Sequence, residues 1–100
     1  MENVELRGKQ RRYLRSLGYG LKPSFSVGKA GMSPALLKSV EDAYNKSELI
    51  KGRVEQTCAL DRKQAAAQVA EATESHLVQV LGRTFLLYRR HSDNPKIQLP

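Results

Sequence analysis

Cysteine, tryptophan and long apolar runs are scarce or absent in this chain of 100 residues, which contains one cysteine, Cys58, and no tryptophan. A single cysteine excludes a disulfide within the chain and a zinc site built from cysteines. No apolar run approaches the roughly 20 residues that cross a bilayer. The first residues, from Met1 to Glu5, are polar and acidic, which is not typical of a secretory signal. We therefore expect a cytoplasmic protein without a membrane partner.

Acidic residues are outnumbered, with 10 Asp and Glu against 17 Lys and Arg and a formal net charge of +7. The excess is concentrated in residues 1–30, which hold seven basic and two acidic residues, whereas residues 31–60 hold four of each. Such asymmetry in a small domain favours a negatively charged partner, either nucleic acid or an anionic membrane surface. The alternative is a surface whose charge only keeps the protein soluble.

The size and composition indicate one domain over residues 1–100, with a core at about 5–91 and an irregular polar tail at 92–100. Apolar periodicity predicts three helices, and alternation of polar and apolar residues predicts four strands. The predicted helices cover about 7–17, 34–45 and 61–75, and the predicted strands about 25–27, 48–56, 77–81 and 84–89. Ser33 and Asp61 are suited to helix N-caps, with Pro34 as a first helical residue.

These elements predict an α/β fold in the order helix, strand, helix, strand, helix, strand, strand. The sheet is expected to be mixed, with parallel pairs in the two strand–helix–strand units and an antiparallel hairpin at Gly82-Arg83. Gly52 is expected to weaken the second strand or to mark a bulge.

The sequence Gly28-Lys29-Ala30-Gly31 lies between a predicted strand and a helix start. Its two glycines allow positive φ and close backbone approach, and such a loop can direct amide N–H groups toward an anion. We expect Lys29 to supply a positive charge and the amides from Gly31 to Ser33 to supply hydrogen bonds to a phosphate. An ordinary tight turn before a helix is the alternative.

The first predicted helix has a basic face, because Arg7, Arg11 and Arg15 recur at intervals of four, with Arg12 and Lys9 nearby. No acid lies between Leu6 and Leu21, although mixed charge is usual on solvated helices. We predict that this face contacts nucleic acid. Further candidates with weaker support are Lys22, Lys51 and Arg89.

Catalytic and metal-binding patterns are not recognisable. His76, at the end of a predicted helix, and His91 are isolated, and Cys58 has no histidine partner at a recognisable spacing. We expect no enzyme activity, cofactor, metal or small-molecule substrate. Two roles remain open for Tyr19: stacking on a nucleobase, or serving as an ordinary surface tyrosine.

Five ordered sequence blocks resemble the CRM domain (chloroplast RNA splicing and ribosome maturation), in its single-domain bacterial YhbY form. The blocks are Leu6–Arg15, Leu21–Pro23, Val27–Gly31, Glu48–Lys51 and Gln79–Thr84 with Leu87–Arg89. The chain departs from the family at Gly52, where a β-branched residue is expected, and at Ala30, where a polar residue is common.

The resemblance implies a fold similar to the C-terminal domain of a bacterial translation initiation factor, with a KH-like GxxG loop. It also implies RNA binding without catalysis and association with precursor large ribosomal subunits. We expect a monomer that grips RNA backbone through the loop and the basic helix. The alternative function is a protein-interaction module that docks on a ribosomal protein or factor, with a basic surface that is only solubilising.

Overall fold

The computed structural model describes residues 5–100. Residues 1–4, which contributed to the argument against a secretory signal, lie outside the described residues. The elements are α1 (Gly8–Gly18), β1 (Phe25–Val27), α2 (Pro34–Tyr44), β2 (Leu49–Val54), α3 (Arg62–Ala72), β3 (His76–Leu81) and β4 (Thr84–Tyr88). The predicted α/β order of three helices and four strands is confirmed.

Local sequence signals account for the starts of two helices. The Ser33 hydroxyl accepts a hydrogen bond from the Leu36 amide at 3.1 Å, and Pro34 is the first residue of α2. The Asp61 carboxylate accepts from the Gln64 amide at 2.8 Å. Both side chains satisfy amides that have no partner within the helix, so both predicted N-caps are confirmed.

The sheet has the strand order β1-β2-β4-β3. The predicted parallel pair of β1 and β2 is confirmed, and β4 runs antiparallel to both of its neighbours. The second predicted parallel pair is wrong, because β4 lies between β2 and β3. Residues 85–88 of β4 are all buried, and such a strand suits the centre of a sheet that is covered on both faces.

Helices cover both faces of the sheet. Leu14 of α1 packs with Leu86 and Tyr88 on one face, which we call the α1 face. On the other face, Phe85 and Leu87 pack with residues of α2 and α3. Successive β4 side chains therefore contribute to two separate cores, as the alternation of side chains along a strand requires.

Gly52 lies within the regular ladder of β2, opposite Phe85 and Phe25. A Cβ at this position would lie 2.5 Å from the Phe25 ring and 2.7 Å from the Phe85 ring. The two rings meet edge to face across the missing side chain, with centroids 5.7 Å apart. Of the two effects predicted for Gly52, the bulge is therefore absent, and the register shift lies in β3 between Leu77 and Gln79.

The C-terminal tail forms neither helix nor strand, yet it is attached to the domain. The carboxylate of Glu48, which is 3% exposed, accepts hydrogen bonds from the amides of His91, Lys96 and Ile97 at 2.6–2.7 Å. Ile97 and Leu99 pack against the core of the α1 face. The tail thus covers one side of α1 beyond the predicted core boundary at residue 91.

The two ends of the sheet differ in what surrounds them. We call the end where β1, β2 and β3 finish and β4 begins the loop end, because the glycine-containing loop follows β1 there. We call the opposite end the tail end, because Glu48 and the tail lie there. Among the helices of residues 5–100, none is long and apolar enough to cross a bilayer.

Candidate nucleic-acid interface

The loop from Gly28 to Gly31 connects β1 to α2. Gly31 has a φ of +62°, a conformation that L side chains rarely adopt. Gly28 does not have positive φ, and a Cβ there would make only an ordinary contact, 3.8 Å from the Thr57 hydroxyl. The predicted positive φ is therefore present at the second glycine and absent at the first.

The hydrogen bonds of the loop differ from the predicted arrangement. The Gly31 amide donates to the Gly28 carbonyl at 3.1 Å, and the Ser33 amide donates to the Gly31 carbonyl at 2.9 Å. Both amides are therefore occupied, as is the Ser33 hydroxyl that caps α2. Within residues 5–100, the amides of Lys29, Ala30 and Met32 make no hydrogen bond and remain available as donors to an anion.

Two arginines that were not among the predicted site residues lie beside this loop. Arg53 is exposed on β2 and pairs with Ser26 of β1, two residues before the loop begins. The Arg83 carbonyl accepts from the Val54 amide at 2.7 Å, which brings the β3–β4 turn to the same end. The alternation of Lys51 and Arg53 along β2 could have identified Arg53, whereas the proximity of Arg83 depends on the pairing of β2 with β4.

The loop end carries three exposed cations and a carboxylate next to the first loop glycine. Lys29, Arg53 and Arg83 are exposed, and their side chains make no hydrogen bond or ion pair within residues 5–100. Glu55 is half-buried, with its Cγ 4.0 Å from a Cβ built on Gly28. These three cations outnumber the carboxylate beside Gly28, which leaves a local excess of positive charge that suits phosphate.

The arginines of α1 are not equivalent. The Arg11 guanidinium donates to the carbonyls of Leu77 at 2.5 Å and Val78 at 3.3 Å, and thereby fastens α1 to β3. Its donors are partly used inside the protein, so Arg11 is a weaker candidate for RNA contact than predicted. The remaining basic residues of this region are exposed, namely Arg7, Lys9, Arg12 and Arg15.

At Arg11, the basic helix reaches the edge of the sheet that lies opposite the glycine-containing loop. Arg11 contacts β3 at one edge of the sheet, whereas the loop follows β1 at the other edge. Three strand spacings, about 14 Å in total, separate these edges. The end of α1 approaches the loop end, because Gly18 and Tyr19 lie beside Lys51 and Thr84. Arg15, in the last turn, is therefore the arginine of α1 nearest to the loop end.

Lys22 and Lys51 lie between these two regions. Lys51 is half-buried on the α1 face, and its carbonyl accepts from the Ser24 amide at 2.9 Å. This bond brings the segment between α1 and β1, which contains the exposed Lys22, against β2. Lys51 thus lies on the α1 face, and Lys22 belongs to the segment that joins the end of α1 to β1.

Arg89 lies at the tail end and has partners within the protein. Its guanidinium makes two hydrogen bonds to the Glu41 carboxylate, at 2.6 and 2.9 Å, and one to the Thr73 carbonyl at 2.9 Å. It also lies 4.1 Å from the centroid of the Tyr44 ring. The hydrogen bond to Arg89 lowers the pKa of Glu41, even though burial opposes this shift. Arg89 joins α2 to the end of α3 and does not extend the basic surface at the loop end.

The histidines do not form a metal site with other residues. His76 begins β3 and stacks on Tyr88 with ring centroids 6.1 Å apart, so its predicted place at a helix end is wrong. Burial and then the nearby positive charge of Arg11 lower the pKa of His76. Within residues 5–100, no group of three His, Cys, Asp or Glu residues could hold a metal ion.

Comparison with known proteins assigns this fold to a defined class. The family model described as the CRS1 / YhbY (CRM) domain matches residues 6–89. The chain therefore belongs to the CRM domain family.

Individual relatives match almost the whole chain. "Probable RNA-binding protein YqeI" of Bacillus subtilis is 40% identical over 95 residues, which are 95% of this chain and 99% of that protein. An "RNA-binding protein" of Haemophilus influenzae is 33% identical over 92% of each chain. The solution structure of SAV1595 from Staphylococcus aureus, described as "a putative RNA binding protein", has a TM-score of 0.80 and 43% identity. That comparison covers 96% of this chain and 100% of SAV1595.

Proposed function

We propose that this protein is a non-catalytic RNA-binding protein that contacts the RNA backbone at the loop end of its sheet. The free amides of Lys29 and Ala30, together with the exposed side chains of Lys29 and Arg53, support this proposal most directly. Backbone N–H groups and unpaired cations are the groups that recognise phosphate without reading sequence. The names of the relatives support RNA as the partner.

The exposed arginines of α1, above all Arg12 and Arg15, form a second contact region in this proposal. Arg11 of the same helix contacts the edge of the sheet opposite the loop, so the two regions suit two separate stretches of a folded RNA better than one phosphate. The family resemblance supports a structured ribosomal RNA in a precursor of the large subunit, bound by a monomer in the cytoplasm. Helix and loop would then position the domain on the RNA, and most of the affinity would come from counterion release.

Salt dependence of RNA binding tests the loop-end contact. Each phosphate contact contributes about 0.7–0.9 to the slope of log K against log salt. We expect the double variant Lys29→Gln/Arg53→Gln to flatten the slope by about 1.4–1.8. The matched control is Lys38→Gln, which removes an exposed lysine of α2 that is 3.2 Å from Asp42. An unchanged slope in the double variant would contradict phosphate contact at the loop end.

Sedimentation with ribosomal particles tests the proposed partner. We expect the protein to sediment with precursor large subunits at low salt and to leave them at high salt. The exposed Leu17 and Leu81 favour the alternative, a protein partner. Retention on the particles after nuclease digestion of the RNA would support that alternative and contradict binding through RNA.

A further inference from the structure

One part of the α1 face is left open where α1 ends. A Cβ on Gly18 would lie 2.6 Å from a methyl carbon of Leu86, so the end of the helix packs directly on β4. The chain then turns away at Leu21, whose amide donates to the Gly18 carbonyl at 3.1 Å. The sheet beyond this point, toward the loop end, is not covered by α1.

A pocket occupies this open region, and we call it the sheet pocket. Its floor includes Leu86, and its rim carries Tyr19, Lys51, Gln79, Leu81 and Thr84. Tyr19 is 87% exposed and Leu81 is 60% exposed, and these are the highest exposed fractions among the large apolar side chains of residues 5–100. Among the residues that the structure describes, no acidic side chain lines the pocket.

The polar groups on the rim are free to bind a ligand. Within residues 5–100, the Tyr19 hydroxyl, the Lys51 ammonium and the Gln79 amide make no side-chain hydrogen bond. The Thr84 hydroxyl donates to the Leu81 carbonyl at 2.9 Å and can still accept. An aromatic ring and an apolar floor, surrounded by an amide, a hydroxyl and an ammonium group, match the faces and edges of a nucleobase.

We propose that the sheet pocket binds one unpaired nucleobase of the RNA, with Tyr19 stacking on the base. This inference rests on the proposed RNA-binding function. Charge favours a nucleotide over an apolar protein segment, because Lys51 is on the rim and Arg53 lies two residues further along β2, opposite Thr84. The phosphate that follows the bound base lies within the basic region leading to the loop. The protein would thereby select single-stranded or bulged RNA next to the backbone that the loop holds.

Two matched single-stranded oligomers, one with bases and one without, test this proposal. One is an adenosine oligomer of about 12 nucleotides, and the other is an abasic ribose-phosphate oligomer of equal charge and length. We expect Tyr19→Ala to weaken binding of the adenosine oligomer about 5- to 100-fold and to leave its salt slope unchanged, because stacking releases no counterions. Tyr19→Phe should restore most of the affinity, since it keeps the ring.

The matched control is Tyr13→Ala, which removes a tyrosine of α1 that is 39% exposed and does not line the pocket. If Tyr19→Ala weakens the binding of both oligomers equally, or of neither, base binding by the pocket is overturned. The Lys29→Gln/Arg53→Gln variant reports backbone contact independently of that result. Failure of the unmodified protein to bind either oligomer or precursor ribosomal RNA would overturn the proposed function itself. Capture of a protein ligand by the pocket in competition with the adenosine oligomer would overturn the nucleobase as its occupant.

Discussion

At the tail end of the sheet, Glu48 and Arg89 are hydrogen-bonded to other groups of the protein, whereas at the loop end Lys29 and Arg53 have no such partners within residues 5–100. The carboxylate at the tail end is buried and accepts three amide hydrogen bonds. The cations at the loop end are exposed. Basic residues of similar appearance in the sequence thus have different roles, because tertiary contacts decide which charges are satisfied.

Removal of the Glu48 carboxylate should have the largest effect on stability. Glu48→Gln replaces an ionised acceptor with an amide, so at least one of the three amide donors from the tail loses its partner. We expect the free energy of unfolding to fall by about 2–3 kcal/mol. Urea unfolding measures this loss, with the exposed Glu71→Gln of α3 as control. Equal stability of the two variants would contradict the anchoring of the tail by Glu48.

The contribution of Glu48 should also depend on pH. Burial by itself raises the pKa of Glu48, but the hydrogen bonds from the amides of His91, Ile97 and Lys96 together lower it by more. The pKa of Glu48 in the folded protein therefore lies below the ordinary value of 4.5. A carboxyl group whose pKa is lowered by folding stabilises the fold at pH values above its pKa in the unfolded chain. This stabilisation is lost as the pH falls through the pKa of the folded protein. The difference in stability between the native protein and Glu48→Gln should therefore shrink as pH falls below 4.5.

Substitution of Arg89 should have a smaller effect. Arg89→Gln removes the paired hydrogen bonds to Glu41 and the contact with the Tyr44 ring, and both Arg89 and Glu41 are partly exposed. Solvent screening limits the loss to about 1–2 kcal/mol. The neighbouring exposed Arg90→Gln serves as the control in the same unfolding experiment. A change in the salt slope of RNA binding for Arg89→Gln, but not for Arg90→Gln, would show that Arg89 contacts RNA after all.

The two loop glycines should give the smallest effects on stability and should differ from each other. Gly31→Ala places a Cβ on a residue with φ of +62° and should cost about 1 kcal/mol. Gly28→Ala should change the free energy of unfolding by less than about 0.5 kcal/mol, because its backbone and surroundings accept a Cβ. Thermal unfolding of both variants measures the difference. Equal losses would contradict the distinct conformations of the two glycines.

Sequence reasoning succeeded where the determining signal was local. Ser33 and Asp61 cap the predicted helices because a short polar side chain reaches the first free amides of its own helix. It failed at Gly52, where the reason for glycine is the approach of two aromatic rings from different strands. The role of Arg89 was likewise hidden, because its partners Glu41 and Thr73 are distant in sequence.

The sequence alone determined the kinds and order of the elements, the basic character of the protein and the existence of a glycine-containing loop before α2. Hydrophobic periodicity, capping residues and net charge carry this information without any long-range contact. Three features depend on the assembled sheet: the position of β4 between β2 and β3, the proximity of Arg53 and Arg83 to the loop, and the use of Arg11 to hold α1. Strand order and side-chain partners depend on which distant surfaces bury each other, so they appear only once the sheet is assembled.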